Sequence, residues 1–248
     1  MSDEHIVKSF GEELERIDLL IVEMGGLAEN QLALAIRALV RRNTELANQV
    51  RDSDVRIDDL EREINERIVR MLALRQPMAG DLRVAIAALK ISNDLERVGD
   101  YAKNVAKRSL VLVQSPAMSS TLTISRMGAL VQSMIKNVLD AYVRRDAAAA
   151  EQVRLADQEV DQLHTSMFRE LLTYMMEDPR NITPCTHLLF IAKNIERMGD
   201  HATNIAEQVH FLVVGQDPEG PRPKQDRSST TIVEPLRPGE TSERAGEQ

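Results

Sequence analysis

Tryptophan is absent from this chain, aromatic residues make up only 3% of it, and one cysteine, Cys185, stands among its 248 residues. Scarce aromatics beside abundant Leu, Ala, Ile, Val, Met, Glu and Arg favour helices packed on helices. A single cysteine excludes an internal disulfide framework and suits a reducing cytoplasm. Following Pro184, it reads as a small helix-terminal residue with no catalytic partner beside it. Clustered base is also lacking: 31 Lys and Arg stand against 39 Asp and Glu, a formal charge of −8. Without a phosphate-tracking stripe, nucleic acid is not an expected partner. The opening Met1-Ser2-Asp3-Glu4-His5 carries acid where a signal peptide needs base. No apolar run is read as reaching the ~20 residues of a membrane span, so a soluble, cytoplasmic protein is expected. No Gly-rich phosphate loop, nucleophile elbow or catalytic triad is found, and nothing points to an enzyme.

What the chain does carry is apolar spacing of three and four residues almost throughout. Turn chemistry interrupts it at Arg42-Asn43-Thr44, Gln76-Pro77, Ser115-Pro116, Asp146, Asp178-Pro179 and Thr183-Pro184. The spacing predicts six helices, roughly 5–43, 45–75, 79–113, 119–145, 147–177 and 184–214, and no sheet, because sustained period-two alternation is missing. The fold class is therefore all-α.

A motif occurs twice: Glu-Arg-Val-Gly-Asp-Tyr-Ala-Lys-Asn-Val-Ala-Lys-Arg from Glu96 to Arg108, and Glu-Arg-Met-Gly-Asp-His-Ala-Thr-Asn-Ile-Ala-Glu-Gln from Glu196 to Gln208. Seven of its thirteen positions are identical. The duplication extends further. A shift of 103 aligns Met24 with Met127, Val40-Arg41-Arg42 with Val143-Arg144-Arg145, Asp54 with Asp157 and Asp58 with Asp161; the shift falls to 100 at the motif. Two pseudo-symmetric three-helix bundles follow, at residues 1–116 and 117–215. Residues 216–248, dense in Pro, Gly, Ser, Thr and charge, read as a disordered tail. Within it, Arg227-Ser228-Ser229-Thr230-Thr231 reads as solvated chain rather than a phosphorylation site.

On a helix, residues four apart differ by ~40° in direction, so Glu96 and Asp100 share a stripe, as do Glu196 and Asp200. The apolar residues lie on the opposite stripe, which predicts acids open at the bundle surface. The second helix of each half adds Asp54 with Asp58, and Asp157 with Asp161. In an antiparallel hairpin, residues equidistant from the turn lie at equal height. The pairs 58/96 and 54/100 are both centred on 77, and 161/196 and 157/200 on 178.5. Four acids per half are thus expected together. A charged stripe opposite an apolar one is ordinarily a solvated face, with Arg97, Arg197 or Lys103 as counter-charges. Here the acids repeat while Tyr101, Lys103 and Lys107 become His201, Thr203 and Glu207, which favours oxygen-ligand metal binding. A ferritin-like di-iron bundle needs Glu-x-x-His twice, and only Glu207 with His210 fits. A metal-free helical adaptor is the remaining alternative.

These motifs, with Met24-Gly25-Gly26-Leu27, Arg75-Gln76-Pro77, Asp81-Leu82-Arg83 and Thr173 to Arg180, resemble the PhoU family over residues 1 to about 216. The resemblance implies two three-helix bundles and metal at Glu96, Asp100, Glu196 and Asp200, as iron or zinc clusters, whereas the oxygen donors alone suit Mg, Mn, Ca or Fe. It also implies a cytoplasmic negative regulator linking the phosphate ABC transporter, through its ATPase subunit, to the sensor histidine kinase of the phosphate-starvation response. A homodimer that reaches the membrane only through partners is expected. The apolar ends Val111-Leu112-Val113 and Phe211 to Val214 read as helix termini packed in the bundle rather than a subunit interface.

Overall fold

The computed structural model describes residues 2–75, 79–220 and 224–231, with side chains placed over 11–74, 80–220 and 224–231. The helices are α1 (Ser2–Arg41), α2 (Thr44–Ser53), α3 (Val55–Arg75), α4 (Ala79–Leu112), α5 (Thr121–Arg144), α6 (Ala147–Glu177) and α7 (Ile182–Val214), with short 3-10 turns at Pro179–Asn181 and Ser228–Thr230. No strand occurs among the described residues. α2 and α3 are one rod interrupted at Asp54, whose backbone stays right-handed helical at φ −62° and ψ −35°. Its carbonyl still accepts the N–H groups of Ile57 and Asp58. The six expected helices are therefore present, the second in two segments.

The duplicated Val-Arg-Arg explains how the first turn of each half is made. Arg42 and Arg145 both take the left-handed conformation, at φ 54°. That geometry ends a helix and reverses the chain. The next residues, Asn43 and Asp146, cap the following helix by accepting the N–H of Leu46 and Ala149, each at 2.9 Å.

Each repeat packs its three helices on one another. The repeats join through like helices, α1 on α5 and α4 on α7, so one apolar core runs through both. The α1–α5 crossing is reciprocal: Gly25 faces Leu139, and Gly128 faces Ile36, the same pair under the shift of 103. A Cβ on Gly25 would stand 2.5 Å from Leu139 Cδ1, and one on Gly128 2.7 Å from Ile36 Cγ1, so each glycine leaves the space that the partner's side chain fills. Beside the crossing, the Tyr142 hydroxyl donates to Asp18, and Arg145 pairs with the same carboxylate at 2.6 Å.

One expectation is corrected by α1. Its stretch Gly11–Arg41 is long and apolar enough to cross a membrane by length and composition, with a mean hydropathy of 1.4 in its most apolar window. Glu23, Glu29 and Arg37 interrupt the apolar run, and its Leu, Ile, Val and Ala residues outweigh them in the average. Ile17, Leu20, Ile21, Met24, Ala28 and Leu32 are buried against the neighbouring helices, as in the core helix of a bundle. Burial of each of the Ile, Leu and Met side chains contributes ~1.5–3 kcal/mol.

Candidate functional site

The glycine of Glu-Arg-x-Gly-Asp is what lets the second and third helices of each repeat meet. A Cβ on Gly99 would lie 3.0 Å from Ile57 Cδ1 and 3.4 Å from Asp54 Oδ1; on Gly199 it would lie 2.8 Å from Asp157 Oδ1. The motif thus seats a second-helix aspartate directly over its own backbone, between the flanking Glu and Asp.

In the first repeat Asp54, at the α2–α3 junction, is only 3% exposed. The Lys103 ammonium donates to it and also stands 3.5 Å from Asp100 Oδ1. Burial raises the Asp58 carboxyl, Asp54 and Asp100 add to the rise, and Lys103 opposes it. Burial and the charge of Asp100 push Glu96 up to about 7, with Glu61 and Asp58 contributing. Asp54, Asp58, Glu96 and Asp100 therefore form one mutually repelling group, held by the Lys103 ammonium and by Arg97, which stands 3.4 Å from Glu96 and 3.8 Å from Asp100.

In the second repeat Thr203 replaces Lys103 and turns its hydroxyl to the Gly199 carbonyl. Other cations take over: Lys193 pairs with Glu196 at 2.8 Å, and Lys224 with Asp200 at 3.5 Å. Asp161 accepts the backbone N–H of Gln225 at 2.7 Å. Burial pushes Glu196 up to about 7 against the pull of Lys193, and Asp200 reinforces the shift.

The structure sets the sequence-derived acids near one another in each half; in the first the Asp100 side chain stays 38% exposed, as an open stripe requires, but the second group is closed. Asp157, Asp161 and Glu196 are 1%, 2% and 3% exposed. A helical wheel treats α7 singly, whereas α6 and the segment from Lys224 cover the stripe it leaves bare. Sequence reasoning also missed Lys193, Gln225 and Asp226. Lys193 lies three residues before Glu196 and was visible as a helical neighbour, whereas contacts from a segment some 60 residues away carry no local signal. The di-iron alternative finds its Glu and His engaged elsewhere: Glu207 pairs with Arg154 at 3.6 Å, and His210 Nδ1 lies 3.1 Å from the Gln216 carbonyl. Of the helix ends, Leu112 is buried while Val111, Val213 and Val214 are exposed.

Among the described residues, no three His, Cys, Asp or Glu side chains converge closely enough to hold a metal ion as they stand. The chemistry nevertheless fits a hard cation. Each group offers only carboxylate oxygens, lysine ammonium groups neutralise them, and Glu96 Oε2 and Glu196 Oε2 are buried without a hydrogen bond. The former has only Arg97 Nε at 3.4 Å. A divalent ion in each group, taking the place of its lysine ammonium, would satisfy that group's orphaned glutamate oxygen.

The PhoU domain family model matches residues 21–109 and 124–209, one repeat each. The chain belongs to the PhoU family. It is 54% identical over 224 residues to the phosphate-specific transport system accessory protein PhoU homolog of Caulobacter vibrioides (strain NA1000 / CB15N), covering 90% of this chain and 97% of that one. It is 50% identical over 231 residues to the homolog of Rhizobium meliloti (strain 1021), covering 93% and 98%. The crystal structure of PhoU from Pseudomonas aeruginosa superposes with a TM-score of 0.81 at 43% identity, covering 84% of this chain and all of that one. The phosphate transport system regulatory protein PhoU from Streptococcus pneumoniae does so at 0.79 and 28% identity, covering 85% and 99%. The PhoU family model ends at residue 209, whereas the match to the Rhizobium meliloti homolog spans 93% of the chain and so runs on toward the segment that touches the second acidic group.

Proposed function

We propose that this protein is a cytoplasmic negative regulator of phosphate uptake and of the phosphate-starvation response. Its family and the names of its relatives support a role in regulating phosphate transport, and a non-catalytic one. In the finer reading it contacts the ATPase subunit of the phosphate ABC transporter and the sensor histidine kinase, and holds the kinase in its phosphatase-favouring state when phosphate is plentiful. It acts as a homodimer and meets the membrane only through these partners.

The observation that carries this reading is the pair of Glu-Arg-x-Gly-Asp motifs, each set by its glycine against a buried second-helix aspartate. Asp54, Asp58, Glu96 and Asp100 in one repeat, and Asp157, Asp161, Glu196 and Asp200 in the other, would hold Mg, Mn, Fe or Zn. A bound cation supplies the positive charge that lets four carboxylates stay ionised side by side. Lys103 leaves the first group to admit it, and the closed hairpin of α2, α3 and α4 then presents a fixed face to partners. Binding to the folded form alone stabilises it by mass action.

The test is expression of the transporter and of phosphate-responsive genes in phosphate-replete cells lacking this gene. Derepression cured by the wild type but not by the Asp100→Ala, Asp200→Ala double variant is the expected result. Unchanged expression after deletion refutes the regulator; full rescue by the double variant refutes the role of the acids.

A further inference from the structure

We propose that the segment Lys224 to Thr231 is an intramolecular strap that closes the second acidic group and competes with cations for Asp161 and Asp200. The proposal rests on the reading of that group as a cation site, and it makes the two repeats unequal.

The strap is anchored by specific polar contacts. Lys224 reaches Asp200 at 3.5 Å, and the Gln225 N–H donates to Asp161 Oδ2 at 2.7 Å. The Gln225 side chain is held between Gln158 and Gln162 of α6. Asp226 then lies between His164 Nδ1 at 3.3 Å, Thr165 Oγ1 at 3.4 Å and Lys193 Nζ at 3.1 Å, and accepts the N–H of Ser228 at 2.9 Å. The Arg227 N–H donates to Thr165 Oγ1 at 3.1 Å. Burial works against the Asp226 charge, yet the Ser228 N–H and Lys193 keep its carboxyl well below the usual carboxylate range. The Lys193 ammonium bridges strap and cluster, since it also pairs with Glu196.

The receptor for the strap exists in one repeat only. Under the internal alignment, Gln158, Gln162, His164, Thr165 and Lys193 correspond to Val55, Asp59, Glu61, Arg62 and Asn93. At the first repeat Asp226 would meet the Glu61 carboxylate in place of His164 and Asn93 in place of Lys193, while Arg62, in place of Thr165, is already paired with Asp59 at 2.6 Å. Repulsion there and attraction at the second repeat direct the strap to α6 and α7. The first group, covered by the side chains of Lys103 and Arg97 and by no strap, is the one left for a cation to enter. Because strap and cation use the same carboxylates, binding of either weakens the other, and the coupling is reciprocal.

The test uses the full chain, wild type and Asp226→Ala, with Mn²⁺ as the probe. Trypsin cuts after Lys224 and Arg227, both inside the strap. Loss of the Asp226 contacts should speed cleavage at Arg227 about tenfold and tighten Mn²⁺ binding to the second group about tenfold, the effect of one charge-assisted contact. Mn²⁺ added to the wild type should itself accelerate the cut, and Asp200→Ala added to Asp226→Ala should abolish the gain in affinity. Equal cleavage of wild type and variant overturns the strap. Faster cleavage with second-group affinity unchanged, while the first group still binds Mn²⁺, overturns the competition and leaves the cation reading intact. Faster cleavage with no Mn²⁺ bound by either protein overturns the cation reading and the competition with it.

Discussion

Glu196→Gln isolates the electrostatic state of the second acidic group. Glu196 is 3% exposed, and burial, opposed by Lys193 and reinforced by Asp200, moves its carboxyl from 4.5 to about 7. An acid whose folded pKa lies above its unfolded value binds its proton more tightly in the native state. Its contribution to stability is complete below 4.5 and is lost as pH rises through about 7. At ~1.4 kcal/mol per pH unit, most of that window lies between pH 5 and pH 8, and the loss across it amounts to ~2.5 kcal/mol. Gln has the same shape and no proton to release. Urea unfolding at pH 5 and pH 8 should therefore show the wild type losing ~2.5 kcal/mol more than Glu196→Gln over that interval. His164, lowered by burial, works in the opposite direction in both proteins and cancels in the comparison. Mn²⁺ should raise the melting temperature of the wild type more at pH 8 than at pH 5, because only the ionised carboxylate is a ligand. Parallel pH dependence in the two proteins would refute the placement of Glu196 as a buried, repelled carboxyl.

Two further substitutions probe the packing that positions the groups. Gly199→Ala places a methyl 2.8 Å from buried Asp157 Oδ1 and should lower stability by ~1–3 kcal/mol in urea unfolding. Gly99→Ala meets its nearest neighbour at 3.0 Å, the movable end of Ile57, and should cost less because alanine favours the helix by ~0.5–1 kcal/mol. Equal effects at the two glycines would contradict the asymmetry between repeats. Asp18→Ala strands the Tyr142 hydroxyl and Arg145 between α1 and α5, and should shift the urea midpoint by the equivalent of ~1–3 kcal/mol. An unmoved midpoint would show that this contact does not hold the repeats together.

The helices and the duplication were legible in the residues, because each depends on local spacing; of the turns, Gln76-Pro77 lies outside the described residues and Thr183-Pro184 falls within the first turn of α7. Three-and-four periodicity needs only one helix, Asn43 and Asp146 cap from within their own turn, and hairpin height is set by rise per residue. The matched left-handed Arg42 and Arg145 follow from the same repeated tripeptide. What lay beyond sequence were the contacts between distant segments. The reciprocal Gly25–Leu139 and Gly128–Ile36 crossing joins positions more than a hundred residues apart, and no single-helix pattern marks it.

The role of the motif glycine also emerges only when the facing aspartate is in place, since an added Cβ collides with an atom from another helix. Burial of the second acidic group was decided the same way. A helical wheel places Glu196 and Asp200 away from the apolar stripe, but cannot show that α6 and then Lys224 to Thr231 lie over them. Composition alone allowed that segment no fold, because it holds too little apolar surface to offset its ordering. Its position comes instead from individual partners, a carboxylate between His164 and Lys193 and an N–H on Asp161. Local order was therefore a property of the sequence. Which acids are closed and which remain accessible became a property of the packed chain, because charge burial depends on what lies opposite.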